Sequence, residues 1–271
     1  MKTKVEECIR KAQCWYSSNS LKINPTKTEV LIIGRRNTQQ SMSFTVQDGE
    51  TSSNIESSKR MKILEVHLDE NLTWECQVKA IKSRSCRIIR NLARTSSVLP
   101  LKSRRTLYDA LVTPHFNYCD TVWGGMSSKL SNDLQKVGNY AAKSLLGMKK
   151  RESATEALLK LNMMPLEQKR TVHLGVLVHK LQNHNGPRQL VDSYKSLMER
   201  PHTYATRSTA RGDMFSLQHN SSRFERSTLH RAIKTWNGIP YDIRKIDTTT
   251  GFKRRFQAHL LANFKEDART L

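Results

Sequence analysis

Acidic side chains stand in three adjacent pairs along the chain, and paired carboxylates are what metal-dependent phosphoryl transfer requires. The pairs are Glu6-Glu7, Asp69-Glu70 and Glu266-Asp267. Two-metal chemistry needs carboxylates that converge on the same cations. The first pair instead falls on a predicted helix face, the second in a predicted turn and the third near the last residue. No P-loop, G-x-S-x-G or H-E-x-x-H motif accompanies them. We therefore expect no complete catalytic site and no metal site.

The cysteines and histidines also lack the spacing of a metal site. The five cysteines are Cys8, Cys14, Cys76, Cys86 and Cys119. Their number is odd and none are spaced C-x-x-C, so the sequence indicates neither a zinc ribbon nor a disulfide framework. We expect reduced thiols in a core. His115, close to Cys119, is predicted to be a packed side chain rather than a ligand.

Positive charge is the strongest chemical feature of the sequence. Forty-six Lys and Arg against 24 Asp and Glu give a net charge of +22 over 271 residues. A charge of this size favours a polyanionic partner, with nucleic acid first and a membrane surface second. Because no run of about 18 apolar residues and no charged-then-apolar leader occurs, we expect a soluble, intracellular protein without a membrane partner. The sequence leaves nucleus and cytoplasm open.

One predicted helix, which follows Thr73 as a candidate N-cap, concentrates this charge. Its apolar side chains are expected on one face: Trp74, Val78, Ile81, Ile88 and Leu92. Its cations are expected on the opposite face: Lys79, Lys82, Arg87, Arg90 and Arg94. Cations in a row repel one another unless water or a phosphate backbone screens them. The row therefore predicts nucleic-acid contact, with a solvated face chosen for solubility as the alternative.

The residues before this helix switch from a helical to an extended pattern. Residues 5–16 predict an amphipathic helix, and residues 21–24 with 30–33 predict a hairpin around a turn at Pro25. Residues 35–60 are predicted to be exposed loops around one edge strand near Phe44 and Val46. Residues 61–68 predict one more strand, closed by a turn at Asp69, after which strand content falls away.

Helical signals dominate the rest of the chain. Pro100 and Pro165 are predicted to begin helices, Gly147 to end one, and Ser153 with Glu156 to form a capping box. Helices are also predicted after Gly186-Pro187, around residues 229–236 and over 252–264. Residues 199–222 are rich in Arg, Ser, Thr and His and predict a mobile basic linker. Trp123 and Trp236 are expected to anchor the core rather than to stack on bases.

These elements predict an α+β fold that is predominantly α-helical. Three parts are expected: residues 1–72 with a small β-hairpin region, residues 73–150 as a helical domain, and residues 151–271 as a second helical region. The basic linker near 199–222 lies within the last part.

The order of several short motifs resembles the downstream part of a non-LTR, LINE-like or jockey-type, retrotransposon reverse transcriptase. Cys14-Trp15 followed by the segment LKINPTKTE at 21–29 resembles the family's W...N-x-L-x-[LI]-N-x-x-K-T hairpin. LEVHLD at 64–69 with LTW at 72–74 resembles its L-G-V-x-L-D...L-T-W hairpin. Leu107-Tyr108, PHFNY at 114–118 and VWG at 122–124 resemble its LY...L..P...Y....WG signature. WNGIP at 236–240 with Phe252-Lys253 resembles its W-N-x-[LI]-P...F-K tail.

The resemblance implies the carboxy-terminal portion of an RNA-directed DNA polymerase, with the end of the palm, the thumb and a post-thumb helical region. In that family the metal-binding aspartates lie upstream, two of them in a Tyr-x-Asp-Asp turn just before the first helix matched here. The resemblance therefore implies a fragment that is inactive alone, with no cofactor of its own and Mg²⁺ only in the intact polymerase. Its implied partners are RNA or DNA as a template-primer duplex, and the missing upstream palm.

The same resemblance suggests roles for particular residues. Lys27 corresponds to a lysine thought to assist pyrophosphate departure. A primer-gripping hairpin corresponds to Leu64, Glu65, Val66 and His67. Glu65 stands where the family usually has Gly, and its carboxylate and Cβ would disfavour a nearby phosphate backbone. The basic helix would be the thumb helix that follows the duplex phosphates. A repurposed nucleic-acid-binding module, or a transposon remnant without function, is the alternative.

Overall fold

A computed structural model of the chain describes residues 2–34, 42–48, 51–95, 98–198, 211–215, 218 and 221–270. The chain divides into two compact units, Met1–Gln77 and Val78–Leu271. The described residues are mostly helical with a few short strands, and beyond Asp69 they contain no further strand. The predicted α+β class with predominant helix is confirmed. The three-part division at 72/73 and 150/151 stays a prediction.

The described residues of the first unit form one long helix and five short strands. They are α1 (Lys2–Ser18), β1 (Val30–Leu31), β2 (Ser43–Asp48), β3 (Thr51–Ser58), β4 (Arg60–Ile63) and β5 (Val66–Asp69), with a 3-10 turn at Pro25–Lys27. The predicted helix at 5–16 is confirmed, but none of the residues of α1 is buried.

The strand pairing of the first unit differs from the sequence prediction. The predicted hairpin of 21–24 with 30–33 is wrong, because β1 pairs in parallel with β3, as in the register Val30 to Ser57. The edge strand predicted near Phe44 and Val46 is confirmed as β2, which lies at an edge of the sheet. The loop expected after it is wrong where described, because β3 pairs antiparallel with β2. Phe44, Val46 and Ile55 are buried in this sheet. Within β2 and β3 only Phe44, Val46 and Ile55 are large and apolar, which is why this stretch resembles a polar loop in sequence.

The strand predicted over 61–68 is a hairpin of two strands. β4 and β5 pair antiparallel, with Ile63 opposite Val66. Between them Leu64 and Glu65 have φ of 46° and 65°. Two consecutive left-handed residues form the two-residue turn that matches strand twist, and neither residue type signals such a turn in the sequence.

The second unit is formed by helices. α2 (Glu75–Arg94) begins in the first unit and continues into the second. The others are α3 (Leu101–Leu111), α4 (Thr113–Asn117), α5 (Asp120–Trp123), α6 (Ser128–Leu146), α7 (Ala154–Lys160), α8 (Leu166–Gln182), α9 (Arg188–Met198), α10 (Ser222–Glu225), α11 (Thr228–Asn237), α12 (Tyr241–Arg244) and α13 (Thr249–Thr270).

The predicted helix boundaries of this unit are confirmed where local chemistry sets them. Gly147 ends α6 with φ of 68°, and its N–H bonds to the carbonyls of the last turn. Ser153 Oγ accepts from Glu156 N at 3.3 Å at the start of α7. Pro100 and Pro165 immediately precede α3 and α8. Each signal acts within about one helical turn, so it does not depend on the rest of the fold.

One apolar core of the second unit lies between α8, α9, α11, α12 and α13. Phe252 is fully buried and stacks on His179, with ring centroids 4.4 Å apart. His179 Nε2 is 2.6 Å from the carbonyl oxygen of Ile246, so this buried ring has a polar partner. The core therefore brings α8 together with the chain that leads into α13.

Part of the predicted mobile linker is packed. Of residues 199–222, only 211–215, 218, 221 and 222 are described, and the rest lie outside the described residues. Met214 is 1% exposed. The Asn237 side chain accepts from Met214 N at 2.7 Å and donates to Met214 O at 3.0 Å. The linker prediction is therefore wrong for 211–215, because distant side chains satisfy its backbone.

The expectation of core cysteines is also wrong. All five are free thiols, but Cys8 and Cys14 are exposed and the other three are only partly buried. Cys8 and Cys14 are exposed because they belong to α1, which has no buried residue.

Candidate nucleic-acid interface

The two faces of α2 differ in burial as their side chains predict. The five cations at positions 79, 82, 87, 90 and 94 are all exposed. On the opposite face Val78, Ile81, Ser85 and Ile89 are buried. Ile89, rather than the predicted Ile88, enters the core, and Ile88 is only partly buried. We call the five cations the basic face of α2.

The basic face is not neutralised by nearby carboxylates. Within the described part of the chain none of its five cations forms an ion pair. Glu75, in the first turn, is the acidic residue of the helix. The pKa of the Asp133 carboxyl is lowered mainly by the hydrogen bond from Lys136, with a smaller contribution from Lys82. The charges of the basic face are therefore open to a polyanion in solvent.

Asp69 fixes the turn from β5 into α2. Its Oδ1 accepts from Asn71 N at 3.0 Å, and its Oδ2 accepts from Thr73 Oγ1 at 3.0 Å and from Trp74 N at 3.1 Å. Thr73 Oγ1, the predicted N-cap, accepts from Glu75 N only at 3.5 Å. The carboxylate of Asp69 is thus occupied by the turn, as a structural residue at the helix start.

The residues of the predicted primer-gripping hairpin lie together at the β4–β5 turn. Leu64 is 81% exposed, whereas Val66 is buried. Glu65 Oε1 is 2.5 Å from Lys62 Nζ. His67 N donates to Gln77 Oε1 at 2.9 Å, which ties β5 to the first turn of α2.

Lys27 is an exposed residue at the end of the 3-10 turn. Its turn is fixed by Asn24, whose Oδ1 accepts from Thr26 N at 3.0 Å. Lys27 and the hairpin belong to the first unit, whereas the basic face belongs to the second. They are therefore two candidate surfaces rather than one described site.

A groove beside α2 adds a feature that sequence reasoning missed. It has a volume of about 650 Å³, and its lining includes Ala93 of α2, three lysines and an aromatic ring. Lys136, Tyr140 and Lys143 come from α6, and Lys150 follows it; Tyr140 is 41% exposed. An aromatic ring among cations is the arrangement that holds single-stranded bases and phosphates. The helical spacing of positions 136, 140 and 143 was the available signal.

Trp123 and Trp236 are core anchors, as predicted. Trp123 is fully buried, and its Nε1 donates to Tyr118 O at 2.7 Å. Trp236 is also buried, and its Nε1 donates to Gly212 O at 3.2 Å. Their rings therefore pack inside the protein.

Metal-ligating side chains do not gather in groups of three or more anywhere in the described ranges. His115 is partly buried, and burial followed by the charge of Arg84 lowers its pKa below the ordinary value of 6.5. A lowered pKa keeps the imidazole neutral at physiological pH.

Comparison with known proteins identifies no relative: no family model, curated protein or solved structure matches the chain. Among the helices that the structure describes, none combines the length and the apolar character needed to cross a bilayer.

Proposed function

We propose that the chain is the downstream part of a non-LTR retrotransposon reverse transcriptase and that it binds a nucleic-acid duplex through the basic face of α2. The observation that carries the binding proposal is a 20-residue helix with five exposed, unpaired cations opposite a buried apolar face. A buried face fixes the orientation of the helix, so the cations point outward together.

The dimensions of α2 suit a duplex. From Lys79 to Arg94 the helix rises about 22 Å at about 1.5 Å per residue. A duplex carries about one phosphate charge per 1.7 Å of axis. The basic face can therefore reach several phosphates without reading bases, which is the contact expected of an element that follows template-primer of any sequence.

The turn at Glu65 supports the family assignment. The family has Gly at this position, and Glu65 has φ of 65°, a conformation that glycine adopts without a Cβ penalty. In this chain Glu65 adopts the conformation despite its Cβ. Its negative charge is paired with Lys62, whose Nζ lies 2.5 Å from Glu65 Oε1. The left-handed conformation at Glu65 supports the motif match, because glycine adopts this conformation more readily than any other residue type.

Other motif residues have structural roles that explain why such motifs would persist. Asp69 and Thr73 of the L-G-V-x-L-D...L-T-W motif form the turn into α2. Trp236 and Asn237 of the W-N-x-[LI]-P motif hold the segment at 211–215 through Gly212 and Met214. The residues of these motifs stabilise the fold and take no part in a reaction. We therefore propose that this chain binds nucleic acid and that its own residues do not catalyse a reaction.

The proposal is tested by binding of the purified chain to an RNA–DNA heteroduplex across a salt series. Five phosphate contacts predict a slope of log affinity against log salt of roughly −4 to −5. The variant K79Q/K82Q/R87Q/R90Q/R94Q should lose most of both the affinity and the slope. Circular dichroism and the Tm check that it remains folded.

A matched control removes five exposed cations from elsewhere: K180Q/K253Q/R254Q/R255Q/R269Q. It changes the net charge by the same amount, so a general effect of charge would weaken binding equally in both variants. Equal loss in the two variants, or a wild-type affinity independent of salt, rejects the proposed interface. Nucleotide incorporation by the chain alone with Mg²⁺ and template-primer would reject binding without catalysis.

A further inference from the structure

A polar cleft in the second unit lies between α5, α6, α8 and α11. Its volume is about 370 Å³, at the small end of ligand pockets. Its polar lining includes Ser131, Asn132, Arg170, Arg231, Lys234 and Thr235. None of the cations of the α2 basic face is among the lining residues, so the cleft is a separate feature from the proposed interface.

Two arginines of the cleft are withdrawn from solvent with few partners. Arg170 is 5% exposed, and its Nη2 donates to Ser131 Oγ at 2.6 Å. Arg231 is partly buried, and its Nη1 donates to Thr121 O at 3.2 Å. A guanidinium carries about five N–H donors. Within the described residues each arginine uses one donor on the protein, which leaves the others available to a ligand.

The charges around the cleft do not balance. Asp120 is the buried carboxylate nearby, and its Oδ2 lies 2.5 Å from His173 Nδ1. Glu167, also in the lining, is exposed. Three cations, Arg170, Arg231 and Lys234, thus face two carboxylates, one of which is held by a histidine. Buried charge without a partner is costly, so an anion in the cleft would stabilise the fold.

The ionisation of the arginines is consistent with this imbalance. Burial, followed by the charge of Arg170, lowers the pKa of Arg231 to about 10. Burial also lowers the pKa of Arg170, whereas the charges of Glu167 and Asp120 raise it. Arg231 therefore stays charged at neutral pH.

Gly124 leaves the space that Arg231 occupies. A Cβ at this position would lie 2.6 Å from Arg231 Nη2 and 2.5 Å from the carbonyl oxygen of Asp120. Gly124 therefore leaves room for the guanidinium at this wall of the cleft.

We propose that this cleft binds a phosphate group between Arg170 and Arg231, with the Lys234 ammonium and the Ser131 and Thr235 hydroxyls as further donors. A phosphate dianion offsets the excess positive charge more fully than a carboxylate, and guanidinium forks match its oxygen geometry. The small volume favours inorganic phosphate or the terminal phosphate of a larger molecule.

The test is titration of the full chain with inorganic phosphate at fixed ionic strength, followed by calorimetry and by the Tm. Phosphate should bind and raise the Tm, whereas equal ionic strength from chloride should not. R231Q should bind phosphate about tenfold more weakly or worse, as expected for a lost charge-assisted hydrogen bond. Its Tm without phosphate should equal or exceed that of the wild type, because an uncompensated buried charge is removed; a purely structural arginine would lower it.

A second variant, K234Q, changes an exposed side chain, so it should fold as the wild type does. It should bind phosphate more weakly than the wild type.

Displacement of phosphate by a nucleoside monophosphate assigns the site to small phosphate esters, whereas displacement only by a 5′-phosphorylated oligonucleotide assigns it to a nucleic-acid end. The variant without the α2 basic face should retain phosphate binding, which separates the two proposals. No phosphate-dependent Tm shift in the wild type, or the same shift in R231Q, overturns the inference.

Discussion

Trp15 in the first unit and Trp123 in the second lie in opposite environments. Trp15 is 60% exposed on a helix without a buried residue, whereas Trp123 is fully buried. Among its described residues, the first unit buries five large apolar side chains: Phe44, Val46, Ile55, Val66 and Trp74. In the described part of the second unit, one cluster alone contains fourteen buried residues. The helical unit is thus stabilised mostly by an apolar core, and the β-containing unit depends more on hydrogen-bonded turns.

The largest expected effect comes from removing a side chain at the centre of the helical core. Phe252→Ala should lower the free energy of unfolding by about 3–5 kcal/mol, the usual cost of deleting a buried aromatic ring. Trp15→Ala, the matched deletion of an exposed ring, should change it by less than about 0.5 kcal/mol. Urea unfolding followed by circular dichroism measures both. A large effect of Trp15→Ala would show that α1 has a partner surface and would weaken the comparison.

A second prediction concerns the polar turn on which the first unit depends. Asp69→Ala should cost about 2–3 kcal/mol locally, because several donors around Thr73 and Trp74 lose a charged acceptor. Asp69→Asn, which keeps one oxygen, should cost less. Hydrogen exchange of the β4–β5 amides reports on this unit separately from the helical core. Unchanged protection in Asp69→Ala would show that apolar packing holds the turn without the carboxylate.

A pair of opposite substitutions tests backbone conformation in the two units. Glu65→Gly should stabilise the first unit by about 1 kcal/mol, because a left-handed residue loses its Cβ penalty. Gly147→Ala should destabilise the second by a similar amount, since Gly147 has φ of 68° and no neighbour within 4 Å that a methyl could contact. Hydrogen exchange of the amides on either side of each substitution measures the two changes in stability. If both substitutions stabilised the protein, or both destabilised it, one of the two residues would not have the left-handed conformation assigned to it.

The smallest effect is a pH dependence from His115. Its pKa lies below 6.5 in the folded chain, because of burial and then of Arg84. Above pH 6.5 the imidazole is neutral in both states, and as pH falls below this value the unfolded chain takes up the proton more readily. Stability from this group is therefore lost on acidification. The Tm difference between pH 7.5 and 5.5 should be smaller in His115→Gln than in the wild type, and an equal or larger difference would reject the assignment.

Sequence reasoning succeeded where the deciding interactions are short in range. The boundaries at Gly147, Ser153 and Pro165 depend on groups within one helical turn, and the basic face of α2 depends only on helical spacing. It failed for β1, whose partner β3 is separated by residues that form another strand. The residue types at 64 and 65 also gave no signal of the left-handed turn, and only the resemblance to a hairpin motif indicated a turn there.

The sequence by itself determined the helical class, the helix boundaries at Pro100, Gly147, Ser153 and Pro165, and the row of cations on α2, because periodicity and capping act between near neighbours. Only the tertiary structure decided that β1 pairs in parallel with β3, that Met214 is enclosed, and that Arg170 and Arg231 share one cleft. These outcomes depend on groups far apart in the chain, whose meeting is set by packing of the whole core rather than by any local preference.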